Sequence, residues 1–155
     1  MCDKIDFESA NVIIELGPGT GVFTKELLKR SKPDTKIILF ELNDTFIELL
    51  RENFDDERLI LLHRSADEID QVLEEHGIDQ VDAVLSSLPL AVIPNAICNA
   101  ILEKSYAALK KRGVYVQYQY SLNSKKLIKR LFPDLKLGFV PANIPPAFVY
   151  IGIKP

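Results

Sequence analysis

The stretch Val12-Ile13-Ile14-Glu15-Leu16-Gly17-Pro18-Gly19-Thr20-Gly21 decides how the rest of the chain is read. Residues 12–16 are an apolar run interrupted only by Glu15, short enough for a strand covered on both faces, and they stop at a glycine. From Gly21 to about Lys29 the period changes, with Phe23, Leu27 and Leu28 recurring at helical spacing. Three glycines therefore sit where a strand ends and a helix begins. Backbone without Cβ atoms lets a ligand approach closely, and the helix start offers free N–H groups with positive partial charge. Glu15 is the anomaly. A carboxylate inside an apolar strand is costly unless paired, and a cationic amino-acid group beside the glycines would pair it.

Outward from this stretch the same alternation repeats. Residues 36–40 read as a second strand, followed by a helix that Asp44 can cap and that carries Phe46, Ile47, Leu49 and Leu50. Residues 58–62 form a third strand, and Ile69, Val72 and Leu73 mark a helix ending near His76-Gly77. A fourth strand at 81–85 runs into Ser86-Ser87-Leu88-Pro89-Leu90, and a long helix spans about 94–111. Residues 113–120 are a fifth strand, with a helix opened by Asn123 or Ser124 and continued through Leu127, Ile128 and Leu131. The chain then changes kind: 135–140 and 147–153 are strands joined by residues 141–146, with no helix between them. Five βα units and a terminal strand pair predict an α/β fold, a doubly wound open sheet with helices on both faces, in one domain over residues 1–155.

Composition narrows the class. Hydrophobic residues at 47% and charged residues at 26% suit an ordinary globular chain, and no apolar run approaches the ~20 residues that span a bilayer. The first ten residues are mostly polar with three acids, unlike a secretory signal, and Cys2 and Cys98 have neither disulfide-framework nor metal-ligand spacing. A cytoplasmic setting and no metal are expected. A net charge of −3 argues against coating nucleic acid, which needs a basic surface. Two basic groups, Lys104 with Lys110, Lys111 and Arg112, and Lys125 with Lys126, Lys129 and Arg130, read either as solvated helix faces or as contacts to an anionic membrane surface.

Two further features bear on the glycine loop. Glu41, at the end of the second strand and followed by Leu42 and Asn43, is placed to accept both hydroxyl hydrogens of a ribose. Ser65-Ala66-Asp67, after the third strand, is placed to read an adenine edge by backbone N–H and carboxylate. A dinucleotide dehydrogenase is the main rival, but its glycines are spaced G-x-G-x-x-G. Here the third comes one residue early, and the terminal strand pair also departs from that arrangement.

The segment 15–21, Glu-Leu-Gly-Pro-Gly-Thr-Gly, resembles the first motif of the class I S-adenosylmethionine (SAM) dependent methyltransferases, with Glu41 similar to their ribose-binding acid. The resemblance implies a Rossmann-like seven-stranded sheet of order 3-2-1-4-5-7-6 with strand 7 antiparallel. It implies SAM held by Glu15, Gly17, Pro18, Gly19, Thr20, Gly21 and Phe23, by Glu41, Leu42 and Asn43, by Ser65, Ala66 and Asp67, and by Ser86 and Ser87. Within that superfamily, residues 15–24, 84–90 and 143–150 look like the bacterial phospholipid N-methyltransferases acting on phosphatidylethanolamine, with Ser87 where that family has glycine. The implied acceptor is a lipid or small-molecule amine, with peripheral membrane contact. Ser87, Leu88, Pro89, Leu90, Tyr118 and Tyr120 would line its side, and Ser87, Tyr118 and Tyr120 are the catalytic candidates. Those relatives carry an N-terminal amphipathic segment over the cofactor, whereas this chain reaches its first strand at Val12, so an open pocket is expected.

Other readings stay open at this level. Methyltransferases acting on adenine amines carry Asn/Asp-Pro-Pro-Tyr or Asn-Leu-Pro-Tyr after the fourth strand, where this chain has Ser87 and Leu90, which makes a nucleic-acid partner unexpected. A small soluble amine as acceptor, an rRNA adenine as acceptor, or a non-catalytic SAM-binding subunit are the alternatives. His63, His76 and Cys98 read as surface, capping and buried apolar positions.

Overall fold

The computed structural model describes all residues except 143 and 144, which open the 143–150 similarity and lie outside the described residues. Seven strands, β1 (Val12–Leu16), β2 (Lys36–Phe40), β3 (Leu59–Leu62), β4 (Val81–Ser86), β5 (Leu109–Gln119), β6 (Lys136–Val140) and β7 (Ala147–Ile153), form one sheet of order β3-β2-β1-β4-β5-β7-β6. Pairing is parallel from β3 to β5, while β7 runs antiparallel to both β5 and β6. The fold expected from the sequence is the fold observed.

Helices α1 (Val22–Arg30), α2 (Asp44–Asn53), α3 (Ile69–Glu75), α4 (Asn95–Ala108) and α5 (Lys125–Leu131) are the crossovers. Two apolar clusters lie on the two sheet faces, as parallel strands covered on both sides require. One joins Ile14, Leu16, Phe40, Val84 and Tyr115 to α3, α4 and α5. The other joins Ile13, Leu39, Leu85 and Val116 to Leu27 of α1 and to Cys2, Ile5, Phe7 and Ala10. The opening residues are thus a packed element. A 3-10 turn at Cys2–Lys4 buries Cys2, and Arg30 reaches Asp3 at 2.7 Å and lies 4.6 Å from the Phe7 ring.

Beside one-residue shifts at several strand ends, two helix boundaries differ from the sequence reading. Asn43, not Asp44, caps α2: its side-chain oxygen accepts the Phe46 N–H at 3.2 Å. The long helix stops at Ala108 instead of Lys111, because Leu109 pairs with Val81 in the sheet and the register shifts before Ala83 meets Val114. The extra residues form a bulge with Arg112 at φ 68°, pinned by its N–H to the Lys154 carbonyl at 2.9 Å and by the Lys110–Asp82 ion pair. No helix among the described residues is long and apolar enough to cross a membrane.

Candidate cofactor and acceptor site

Because β1, β2, β4 and β5 are parallel, their carboxyl ends share one edge, and the loops leaving that edge build the site. The glycine loop is anchored there at its start, to a strand on either side. The Gly17 N–H donates to the Phe40 carbonyl at 2.9 Å, and the Ser87 N–H donates to the Leu16 carbonyl at 3.0 Å. The three glycines do different jobs. A Cβ at Gly17 would come within 2.9 Å of the Leu88 side chain, and one at Gly21 within 2.5 Å of the Phe54 ring. At Gly19 (φ 57°) it would meet nothing within 4 Å. Gly17 and Gly21 are glycines for packing, while Gly19 faces open space that a ligand can fill. Among the described residues no side chain caps α1 at Gly21, so its first-turn N–H groups are available as donors.

Glu15 lies in the middle of the sheet, opposite Leu39 on one side and Leu85 on the other. Its Oε2 accepts the Thr24 hydroxyl hydrogen at 2.6 Å, while the buried Oε1 has no hydrogen-bond partner among the described residues. Burial pushes the Glu15 carboxyl up to about 7. The Thr24 hydrogen bond opposes that shift, and the nearby Glu41 charge reinforces it. A cation delivered to Oε1 would relieve both the unmet acceptor and the raised pKa.

Glu41 is held by three backbone donors. Oε1 accepts the N–H groups of Leu42 and Asn43, each at 3.0 Å, and Oε2 accepts the Gly19 N–H at 3.0 Å. A carboxylate offers about four acceptor sites, so the open capacity is on Oε2, beside the glycine loop. Next to it lies an apolar slot of about 280 Å³, with Leu42, Ser65 and Ala66 on one wall and Leu88, Ile93 and Ile97 on another. Ser65 closes a capping box with Glu68, which fixes this turn. Asp67 does not line the slot. Its carbonyl accepts from Lys104 Nζ at 2.6 Å.

A smaller cavity of about 170 Å³ lies between Ser87, Pro89 and Ala91 on one side and Tyr118, Tyr120 and Ser121 on the other. Tyr118 and Tyr120 meet nearly perpendicular with centroids 5.5 Å apart, and Phe23 of α1 stands 5.7 Å from Tyr118. Burial, then the hydrogen bond and charge of Tyr120, raises the Tyr118 pKa. Four of the acceptor-side residues expected from sequence, Ser87, Pro89, Tyr118 and Tyr120, thus come together. Leu88, also expected on the acceptor side, lines the slot instead and packs against Gly17. Leu90 is placed in the core instead of on a cavity wall. Ser86 is also buried, and its Oγ accepts the Leu88 N–H at 3.3 Å.

Sequence reasoning assigned no role to three residues that organise this region. Thr24 is the partner of Glu15. Gln117 and Gln119 both donate Nε2–H to one acceptor, the Leu88 carbonyl, at 3.0 and 2.6 Å, and Tyr115 donates to Gln117 Oε1. The signal was present: two glutamines two apart inside a buried strand, as anomalous as Glu15. A groove of about 550 Å³ between Lys4, Ile5, Asp82, Arg112 and Ile151 is at the opposite edge of the sheet and takes no part in this site.

Residues 1–130 match the ribosomal RNA adenine dimethylase family. The chain is also 31% identical to an ornithine lipid N-methyltransferase of Singulisphaera acidiphila, over 97% of this chain and 81% of that protein. The chain belongs to the ribosomal RNA adenine dimethylase family of class I SAM-dependent methyltransferases. The ribosomal RNA small subunit methyltransferase A of Mycoplasma mycoides is 37% identical over 68 residues, 44% of this chain but 24% of that protein. In fold, this methyltransferase is like a Thermus thermophilus 16S rRNA N2 G1207 methyltransferase solved with AdoMet and guanosine, at TM-score 0.69 and 20% identity. That likeness covers 93% of this chain and 37% of that one.

The cofactor of the methyltransferase is SAM, and the observed residues fit it. The unmatched Oε1 of Glu15 suits an ammonium, the space at Gly19 a close-lying chain, Oε2 of Glu41 a ribose hydroxyl, and the slot beside Leu42 and Ile97 a purine ring.

Proposed function

We propose that this methyltransferase, a single domain over residues 1–155, transfers a methyl group to the amine of a lipid head group. SAM supplies an electrophilic methyl on its sulfonium, and the chain supplies orientation and exclusion of water. Glu15, the glycine loop and Glu41 hold one end of the site, and the slot beside Ser65 and Ala66 holds the other. The acceptor enters the small cavity by Ser87. A primary amine attacks only when neutral. The low-polarity walls of Pro89, Ala91, Tyr118 and Tyr120 disfavour its charged form, and the Ser87 hydroxyl can accept one of its hydrogens. Phe23, Tyr118 and Tyr120 cluster beside this cavity, where a ring face can meet the cation that forms after transfer. A head-group acceptor implies peripheral contact of this chain with a bilayer surface from the cytoplasmic side.

The observation that carries this reading is the loop after β4. An adenine amine acceptor calls for an amide or acid and a stacking ring there, and this chain has Ser87 and a Leu90 that is buried in the core. The extent of the ornithine lipid N-methyltransferase match, 97% of this chain against 44% for the Mycoplasma rRNA enzyme, supports the same side. The family match to ribosomal RNA adenine dimethylases favours rRNA as the second reading.

Incubation with methyl-labelled SAM, phosphatidylethanolamine or ornithine-lipid vesicles, and small-subunit rRNA, followed by separate lipid and RNA extraction, distinguishes them. Label is expected in the lipid. Label confined to RNA would replace this reading with the second. Label in neither, with SAM bound, would leave a small soluble amine or a SAM-binding subunit.

A further inference from the structure

Nine large apolar side chains are exposed among the described residues, and seven of them stand at one edge of the sheet. Val22 follows the glycine loop, Leu42 lies two residues past β2, Val92 and Ile97 follow β4, and Tyr120 and Leu122 follow β5. Phe139 is the seventh. β6 and β5 both run antiparallel to β7, so the end of β6 emerges beside the end of β5. Each is between 41% and 77% exposed, so the fold gains little from their apolar character. Single exposed apolar residues need no explanation, but a ring of them around a ligand site marks an interaction surface. Both cavities of the site open within this ring.

Charge identifies what the ring meets. Lys125 and Lys126 open α5 just beyond Leu122, and Lys129 follows one turn later; all three are exposed. A cation in the first turn of a helix opposes the helix dipole, and no acid in that turn offsets it. Arg130 turns away to Asn99 and Glu103, whereas the three lysines make no ion pair among the described residues. In a chain of net charge −3 this is a local basic group beside an apolar rim. An RNA partner calls for free cations around the mouth, where the rim side chains are apolar, Arg64 is paired with Glu68 and Glu75, and Asp44 is 85% exposed. Apolar side chains at the ends of five separate strands or just beyond them, ringing an opening with cations at one side, suit a fluid anionic surface.

We propose that this edge docks onto an anionic phospholipid bilayer. The rim side chains enter the interface, Lys125, Lys126 and Lys129 sit over acidic head groups, and the cavity at Ser87 opens toward the membrane. The proposal rests on the lipid-acceptor reading and names the surface through which that acceptor arrives.

Flotation with vesicles of phosphatidylglycerol and phosphatidylethanolamine, against pure phosphatidylcholine vesicles, tests it. The full chain is expected to float with the anionic vesicles. The double variant Val92→Asp/Leu122→Asp should lose at least tenfold in partitioning, with SAM affinity by calorimetry unchanged. Ile153→Asp, at the opposite edge, should behave as the parent. Lys125→Ala/Lys126→Ala should lose about fivefold per charge at low salt and less at high salt. Rim variants that partition like the parent, or a parent that floats with no vesicle, would overturn the docking surface. Methylation of a short-chain phosphatidylethanolamine dispersed as monomers reads the acceptor separately. Rim-dependent flotation without methylated lipid keeps the surface and removes the acceptor, and methylated monomers without rim-dependent flotation do the reverse.

Discussion

Glu15 and Gly19 show how single positions record a ligand. The folded chain holds the Glu15 proton more tightly than the unfolded chain, its carboxyl moving from 4.5 up to about 7. Folded chain therefore binds more protons than unfolded between those values, and stability falls as pH rises through that window. Glu15→Gln removes this penalty. It should raise the melting temperature of the SAM-free protein at pH 8 by several degrees, corresponding to up to about 3 kcal/mol, with little difference at pH 4. The same variant should bind SAM at least tenfold more weakly. In the parent near pH 6, SAM binding should release a proton, seen in calorimetry as a heat that depends on the buffer; a buffer-independent heat would separate Glu15 from the ammonium. Gly19→Leu should abolish SAM binding. Because a Cβ there meets no atom within 4 Å, its cost to folding is limited to the left-handed backbone, roughly 1–2 kcal/mol. Retained affinity in Gly19→Leu would displace the cofactor from this loop.

At the scale of elements, the loop after β4 is positioned by β5. Gln117 and Gln119 both donate to the Leu88 carbonyl, and the Leu88 side chain fills the space beside Gly17. One strand thus holds the loop that lines the slot at Leu88 and the smaller cavity at Ser87 and Pro89. Gln119→Leu, which keeps bulk and removes the donor, should lower turnover by roughly 10–100-fold through misplacement of the acceptor. SAM affinity should stay within about threefold, and Gln119→Asn should not restore turnover, because the shorter amide does not reach. Equal losses in turnover and SAM affinity would mean instead that the whole wall had collapsed. The elements themselves were legible in the sequence because strand and helix periods differ. The boundary at 108–112 was not. Leu-Lys-Lys-Arg extends a helical pattern locally, and only pairing of Leu109 with Val81 and of Arg112 with Lys154 draws it into the sheet.

For the whole molecule, SAM held in the proposed site would bridge loops from β1, β2, β3 and β4, so its binding free energy would stabilise the entire sheet edge. At a hundred times its dissociation constant the added stability is about 2.7 kcal/mol, a rise in melting temperature of roughly 5–10 °C for a chain of this size. A shift near zero, measured by scanning fluorimetry against SAM concentration, would contradict a bridging ligand. The sequence by itself determined the alternation of strands and helices, the two-faced burial and the glycine loop, because those follow from the spacing of apolar residues and of glycine along the chain; the sheet order came from the resemblance to the class I methyltransferases. It also exposed Glu15, since a charge in a buried strand is visible without coordinates. Only the tertiary structure decided which glycine faces open space, that Asp67 stands away from the slot while Ile93 and Ile97 line it, and that Leu90 turns inward. It alone gathered Val22, Leu42, Val92, Leu122 and Phe139 around one opening. Those facts depend on contacts between residues far apart in the chain, which no local spacing records.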